Sequence, residues 1–464
     1  MTDASSALKQ ILSLADRREP RLGSVTIEGA DPVLPTNFLL GAASSAALAA
    51  VGLAASDLWR LRGGRRQQVH IDTRTACIAL RSERYLRVGD DPPPDLWSPI
   101  SGMYTTGDNR WIQLHCNFPH HRDGVLQVLG CENDREAVAE AISGWDGESL
   151  ENALADAQMC AGMLRSADEW RDHPQGQAVA DLPLFEIVKI GDSPPEPLPA
   201  AARPLSDIRA LDLTRVLAGP VSGRLLAGLG AEVMRIAGPH LPFIEPLVID
   251  TGLGKLSAHV DLREQSGRDR LMALVRDADI FTQAYRPDAI PGHGFSPEAV
   301  AAERPGIVYV SLCAYSHAGP WQKRRGFDSL VQTVSGISHE GGENGGPGPL
   351  PAQALDHCTG YLAAFGAMVA LARRATEGGS WLVRLSLAQT GHWIKGLGRL
   401  ESDVDGRSLP DPTLDDIADL TMQTKTPFGQ LTHIVPPIGL SETPMAWDRP
   451  SVPLGTHEPA WPVH

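Results

Sequence analysis

Asp356 is the residue whose type and position most directly suggest chemistry. It lies in Leu355-Asp356-His357-Cys358-Thr359-Gly360, at the opening of a long apolar run, Tyr361–Ala375. A carboxylate at a helix N-cap accepts backbone N–H bonds and feels the positive end of the helix dipole. Both effects favour the ionised form, which a carboxylate nucleophile requires. The same placement is also the ordinary structural cap, and spacing alone favours the cap. His115, Cys116, His120 and His121 form the densest group of metal-ligand side chains. Their spacing fits no zinc pattern and no second ligand pair stands nearby, so they read as incidental histidines of a surface loop. Ser222 and Ser386 lack a G-x-S-x-G elbow, which leaves serine hydrolysis unsupported. Lys323-Arg324-Arg325 reads first as a solvated basic patch and second as an anion site.

The elements around these residues alternate. Ile208–Leu213, Ala231–Ile236, Ser257–Leu262, Asp279–Tyr285 and Ile307–Leu312 read as strands. Helices are expected at Val221–Gly230, Gly267–Ala278 and Pro297–Arg304. That alternation predicts a parallel sheet covered on both faces, with ligands at the carboxyl ends of its strands. The loops Thr214–Pro220, Ala237–Lys255, Arg286–Gly294 and Cys313–Phe327 are therefore the places to find a site. The first of them lacks G-x-G-x-x-G, and Ala237 stands where a nicotinamide ribose would need an acid, so NAD is disfavoured. Gly341–Gly348 reads as a mobile loop, Tyr361–Ala375 as a helix ended by Gly378-Gly379, and Trp381–Leu387 as a strand.

The helix–Gly-Gly–strand order occurs twice. Gly41–Leu61, Gly63-Gly64 and Gln68–Asp72 precede their counterparts by about 315 residues, which suggests partial duplication. The position matching Asp356 is Gly41 or Ala42, without a carboxylate. Between the copies, Gly107–Cys116 reads as a turn and strand. Arg122–Leu129, Arg135–Ile142 and Ser149–Ala161 read as helices, and Asp181–Ile190 as extended. Ser193–Pro204 is a Pro-rich linker.

The 464 residues suffice for two or three domains, and 42% hydrophobic with 21% charged residues describes a globular chain. Lys+Arg 41 against Asp+Glu 56 gives −15, the wrong sign for a nucleic-acid binder. Six scattered cysteines without C-x-x-C suit a reducing compartment, and MTDASSALKQ lacks the order of a signal peptide. A cytoplasmic location is expected. Phe38–Ala55 is uncharged and precedes a run of arginines, as a membrane span would. Its Ala, Gly and Ser insert weakly, so a buried core helix is the better reading.

The run LDLTRVLAGPVSGRLLAGLGAEVMRI (211–236) opens an ordered set that resembles the family III CoA-transferases, the CaiB/BaiF group. GKLSAHVDL (254–262), DADIFTQAYRPDAI (277–290), PGIVYVSLCAYSHAGP (305–320), GFDSLVQTVSG (326–336) and ALDHCTGYLAAFGAMVALARR (354–374) follow in the family's order. PFG (427–429), ETP (442–444) and PLGTHEPAW (453–461) resemble its ending. GGRRQQVHID, DNRWIQLHC and SADEWRDHPQGQAV resemble a C-terminal family half placed in front.

The resemblance implies an α/β protein: a Rossmann-like parallel-sheet domain over 205–464 with a smaller α+β domain, and an interlocked or paired homodimer. The segments expected are an extension (1–37), a helix–strand unit plus small domain (38–192), the linker (193–204) and the sheet domain with its tail. It implies CoA transfer between an acyl-CoA and a carboxylic acid, with Asp356 as the nucleophile forming mixed-anhydride and aspartyl-CoA intermediates. Lys255 matches a residue near the CoA phosphates, and Tyr285, Arg286, Pro287 and Tyr315 match CoA contacts. CoA would be a substrate; no permanent cofactor, metal, nucleic acid or membrane is implied. Ala237 and Gly292 replace an acidic and a basic residue of the family, and Gly326-Phe327-Asp328 lacks the His of its racemases. Other acyl-CoA chemistry (racemase, isomerase or lyase) and a non-catalytic acyl-CoA-binding paralogue are the alternatives.

Overall fold

The computed structural model describes residues 3–16, 24–91, 95–342, 346–401 and 403–462. Its largest element is a seven-stranded sheet: β1 (Phe185–Gly191), β2 (Arg209–Leu213), β3 (Glu232–Ala237), β4 (Lys255–His259), β5 (Ile280–Gln283), β6 (Val308–Cys313) and β7 (Ser380–Ser386). The spatial order is β4-β3-β2-β5-β6-β7-β1. All neighbours are parallel except β7 and β1. Runs such as Val-Tyr-Val-Ser-Leu in β6 are buried throughout, as strands covered on both faces must be. The chain reverses its direction of winding between β2 and β5, so loops at their carboxyl ends diverge and leave a crevice.

The edge strand β1 was expected to lie with the segment before the Pro-rich linker. It instead pairs antiparallel with β7, Phe185 opposite Leu385 and Ile187 opposite Val383, so the sheet continues across residues 193–204. Among the helices, α1 (Leu40–Leu61), α2 (Ala218–Gly228), α3 (Asp328–Val334) and α4 (Ala354–Glu377) matter most for the site. The Ala-rich α1, read as a core helix, is buried along nearly its whole length and packs directly against α4. Small side chains permit that approach: helices apolar all round are core helices when their neighbours cover every face.

The duplicated unit is visible in detail. A Cβ on Gly52 of α1 would lie 2.5 Å from Val69 of the strand Val69–Asp72, and one on Gly366 of α4 would lie 2.6 Å from Val383 of β7. Asp72 then caps the helix Thr73–Ala79, as Ser386 caps Leu387–Gly396. Each pair is 314 residues apart (52 and 366, 69 and 383, 72 and 386).

Residues 100–163 hold three antiparallel strands (Gly102–Thr105, Trp111–Leu114, Ala161–Met163) and three helices around a separate apolar cluster that includes Ile112, Leu114, Val138 and Leu150. The end of the chain returns to its beginning. The hairpin Thr421–Thr426/Gly429–Ile434 pairs with Arg87–Val88, and Gly439–Leu440 pairs with the Val69 strand. The glycine-rich loop expected at 341–348 lies partly outside the described residues, at 343–345.

Candidate active site

Asp356 occupies the first turn of α4, two residues past its first helical position. It is not the N-cap that its spacing suggested. Gln353 flanks the helix without a side-chain cap bond. The missing cap comes from α3: the Asp328 carboxylate accepts the Asp356 backbone N–H at 2.8 Å. Gln332, one turn along α3, donates to the other Asp328 oxygen, and its own side-chain oxygen accepts the Leu350 N–H at 2.8 Å. A single carboxylate–amide network thus fixes where α4 begins.

The α2 helix meets α4 at Gly360. A Cβ there would lie 2.5 Å from the Ala218 carbonyl oxygen, so only glycine permits this contact. Ala218 is the first residue of α2, and its amide acts on the Asp356 carboxyl. Asp356 therefore stands where the positive ends of two helices converge.

The ionisation expected from that placement does not follow. Asp356 is only 8% exposed, and burial pushes its carboxyl well above the usual carboxylate range. Repulsion from Asp328 and Glu83 adds to the rise, while the Ala218 amide opposes it. Burial raises Asp328 as well. Glu83 is held low because His357 Nε2 lies 3.1 Å from its carboxylate, both side chains being buried.

Two cavities adjoin Asp356 and share Val216 and Phe327 as walls. The first, about 340 Å³, is formed by loops at the carboxyl ends of β2, β5 and β6. Tyr285, Arg286 and Pro287 line it, together with Arg215, Arg324 and Arg325. Arg324 and Arg325 thus belong to a cavity wall rather than to a solvated patch, whereas Lys323 is exposed and paired with Asp288 at 2.5 Å. His120, His121 and Cys160 close the same cavity from the 100–163 unit. His121 Nε2 lies 2.9 Å from an Arg325 Nη1, and burial holds the ring at about 3, that is, uncharged. The surface-loop reading is corrected for His121, which is buried, whereas His120 stays exposed. Among the described residues no group of three or more His, Cys, Asp or Glu is arranged to hold a metal.

The second cavity, about 290 Å³, is lined by Leu96, Trp97, Leu217, Ile244 and Leu247, with Glu83, Arg84, Asp95, His115, Asn117, Asp328 and Gln353. His115 stacks on Phe327 with centroids 3.9 Å apart and planes 10° apart. Burial also holds His115 at about 3, so it is neutral.

Two expected contacts lie elsewhere. Lys255 is 2% exposed, with Nζ 2.7 Å from an Asp212 carboxylate oxygen and 2.7 Å from the Pro220 carbonyl oxygen. Its charge is engaged inside the sheet, beneath Gly223, and a phosphate cannot reach it. Tyr315 is 2% exposed and packs edge-on to Trp321 at 5.2 Å, behind Gly326 and outside the cavity lining. Glu83 went unread in the sequence, because an acid within Arg-Ser-Glu-Arg carries no periodic or spacing signal. Phe327 and Asp328 were legible only as a departure from a histidine pattern.

A doubly wound sheet with an arginine-lined crevice and a helix-borne carboxyl defines an α/β protein whose crevice presents positive charge beside Asp356. Residues 205–401 match the family model CoA-transferase family III. It is 29% identical over 322 residues to the acetyl-coenzyme A transferase nodX of Hypoxylon pulicicidum, covering 64% of this chain and 54% of that one. An acyl-CoA transferase of Gibberella moniliformis is 27% identical over 80% of this chain and 73% of its own. Human succinyl-CoA:glutarate CoA-transferase is 33% identical over 36% of this chain and 41% of its own. The chain spans about half the length of the first of these relatives. A crystal structure of a hypothetical protein from Mycobacterium tuberculosis aligns with 42% of this chain and 57% of its own at 28% identity and TM-score 0.40.

Proposed function

We propose that this chain is an enzyme that transfers CoA between an acyl-CoA and a carboxylic acid, with Asp356 as the covalent nucleophile. The observation that carries this reading is the position of Asp356 between two cavities, one of them walled by arginines at the sheet's carboxyl edge. Guanidinium groups are suited to phosphate, and Arg215, Arg286, Arg324 and Arg325 together offer four. Tyr285 and Pro287 would flank the pantetheine arm, while Lys255 and Tyr315 act through the fold. CoA enters and leaves as a substrate, so no resident cofactor is required.

The steps balance without an external reagent. An ionised Asp356 oxygen attacks the thioester carbonyl, and the tetrahedral adduct expels CoA as thiolate, leaving a mixed anhydride of the acyl group and Asp356. The thiolate attacks the aspartyl carbonyl, releasing the first acid and leaving an aspartyl-CoA thioester. The acceptor carboxylate attacks that thioester and expels the thiolate again, which then takes the new acyl group and frees Asp356. Splitting one transfer into such steps is what covalent catalysis supplies. The Ala218 amide and the start of α2 are placed to stabilise negative charge at the aspartyl carbonyl. Racemisation is the weaker reading, since the residue before Asp328 is Phe327, stacked on a neutral histidine and carrying no base.

The smaller α+β unit over 100–163 and the front helix–strand copy would complete a site that the 205–464 sheet begins. Incubating the purified protein with acyl-CoAs and free acids should yield the exchanged thioesters by liquid chromatography. Hydrolysis to free CoA without exchange would contradict the transfer reading.

A further inference from the structure

If CoA lies along the arginine-lined cavity, the group esterified to its sulfur must project past Asp356, and the second cavity is what it meets. We infer that this chamber is the acyl pocket, and that it selects an uncharged aliphatic acyl group over one ending in a second carboxylate. The inference rests on the CoA-transfer reading and adds the substrate class.

The charge of the walls carries the argument. Glu83 and Asp328 are 2% and 1% exposed and line the chamber beside Asp356, and Asp95 stands at it as well. A distal carboxylate would be desolvated next to like charges, the least favourable environment for an anion. The one histidine present, His115, is neutral because it is buried against Phe327. Among the described residues of the lining the only cation is Arg84, whose charge is opposed by burial and by Arg81. Glu83 and Asp411 already face it.

The apolar surface points the same way. Leu96, Leu217, Ile244 and Leu247 line the chamber, and Trp97 remains 40% exposed at it with its ring against His115. Each methylene buried on such a surface strengthens binding about four-fold. Two of these residues, Leu96 and Trp97, come from the segment before the sheet domain, so the front half of the chain would share in setting acyl specificity.

The test compares hexanoyl-CoA with adipyl-CoA, six carbons each, using the full chain and one acceptor acid. The inference predicts a kcat/KM at least ten-fold higher for hexanoyl-CoA. It also predicts that Leu96→Trp, which narrows the chamber from a loop, lowers the ratio of hexanoyl to acetyl turnover at least ten-fold. Equal or preferred use of adipyl-CoA, lost in Arg84→Ala, would make Arg84 a carboxylate receptor and overturn the inference. An unchanged hexanoyl-to-acetyl ratio in Leu96→Trp would also overturn it, with transfer itself intact. If no thioester exchanges CoA or labels Asp356, the transfer reading fails first and takes this inference with it.

Discussion

The Asp328 carboxylate accepts the backbone N–H of Asp356 at 2.8 Å, so the residue that caps the start of the helix also places a second acid beside the proposed nucleophile. Two buried carboxyls this close cannot both ionise cheaply: burial raises both, and Asp328 raises Asp356 further. Since attack requires the anion, turnover should fall as pH drops through the raised range of the pair. Asp328→Asn keeps an oxygen for the Asp356 N–H and removes the like charge. We expect the acidic limb of the kcat/KM profile to move down by about one pH unit. An unmoved limb would show that the two carboxyls do not titrate together.

The same pair has a stability consequence of definite sign. Both groups hold their protons more tightly folded than unfolded, so folded-state stability declines as pH rises from the ordinary Asp range, near 4, toward about 6, where Asp328 lies. Asp328→Asn should flatten that decline. Thermal melts of both proteins between pH 4 and pH 7 check it, and parallel curves would contradict it.

Gly360 is where α2 touches α4, one turn beyond Asp356. A methyl group in Gly360→Ala would meet the Ala218 carbonyl at 2.5 Å and push the two helices apart. Overpacking of this kind costs about 1–3 kcal/mol. Because Ala218 also carries the amide acting on Asp356, kcat should fall more than stability alone explains. Turnover and urea midpoint together decide the matter; normal kcat in a folded variant would separate the α2 start from the chemistry.

The buried Glu83–His357 pair joins the front segment to the helix of Asp356. Removing one partner of a buried pair costs about 3–5 kcal/mol. Glu83→Leu should therefore lower the denaturation midpoint strongly, and Glu83→Gln, which can still hydrogen-bond His357, less so. Equal midpoints for the two variants would mean that the contact contributes no stability.

The internal repeat makes a paired prediction. Gly52→Ala and Gly366→Ala each place a methyl within 2.6 Å of a valine on the following strand. Their destabilisations should be alike, about 1–3 kcal/mol each. A large cost at one site alone would show that only one copy keeps the packing.

The sequence carries the elements of the sheet well because parallel strands buried on both faces are continuous apolar runs; Ile307–Leu312 and β6 differ by one residue at each end. It located all four loops of the crevice for the same reason. What it did not carry is tertiary. Asp356 looks like a cap from its neighbours, and only the approach of Asp328 from 28 positions earlier shows otherwise. Lys255 looks available because lysines are usually exposed, but Asp212, two strands away beyond β3, holds it inside. His115 and His121 have no periodic signal, and their burial depends on tertiary packing, His115 against Phe327 and His121 beside Arg325.

The proposed transfer requires Asp356 to be covalently modified during turnover, and a trapping experiment detects that modification. The protein is incubated with an acyl-CoA that it turns over, quenched with hydroxylamine, digested and examined by mass spectrometry. The account predicts an aspartyl hydroxamate on the peptide containing Asp356, absent without thioester and absent in Asp356→Ala, which should also lose nearly all turnover while remaining folded. Turnover with no hydroxamate at Asp356, or near wild-type rates in Asp356→Ala, would contradict it.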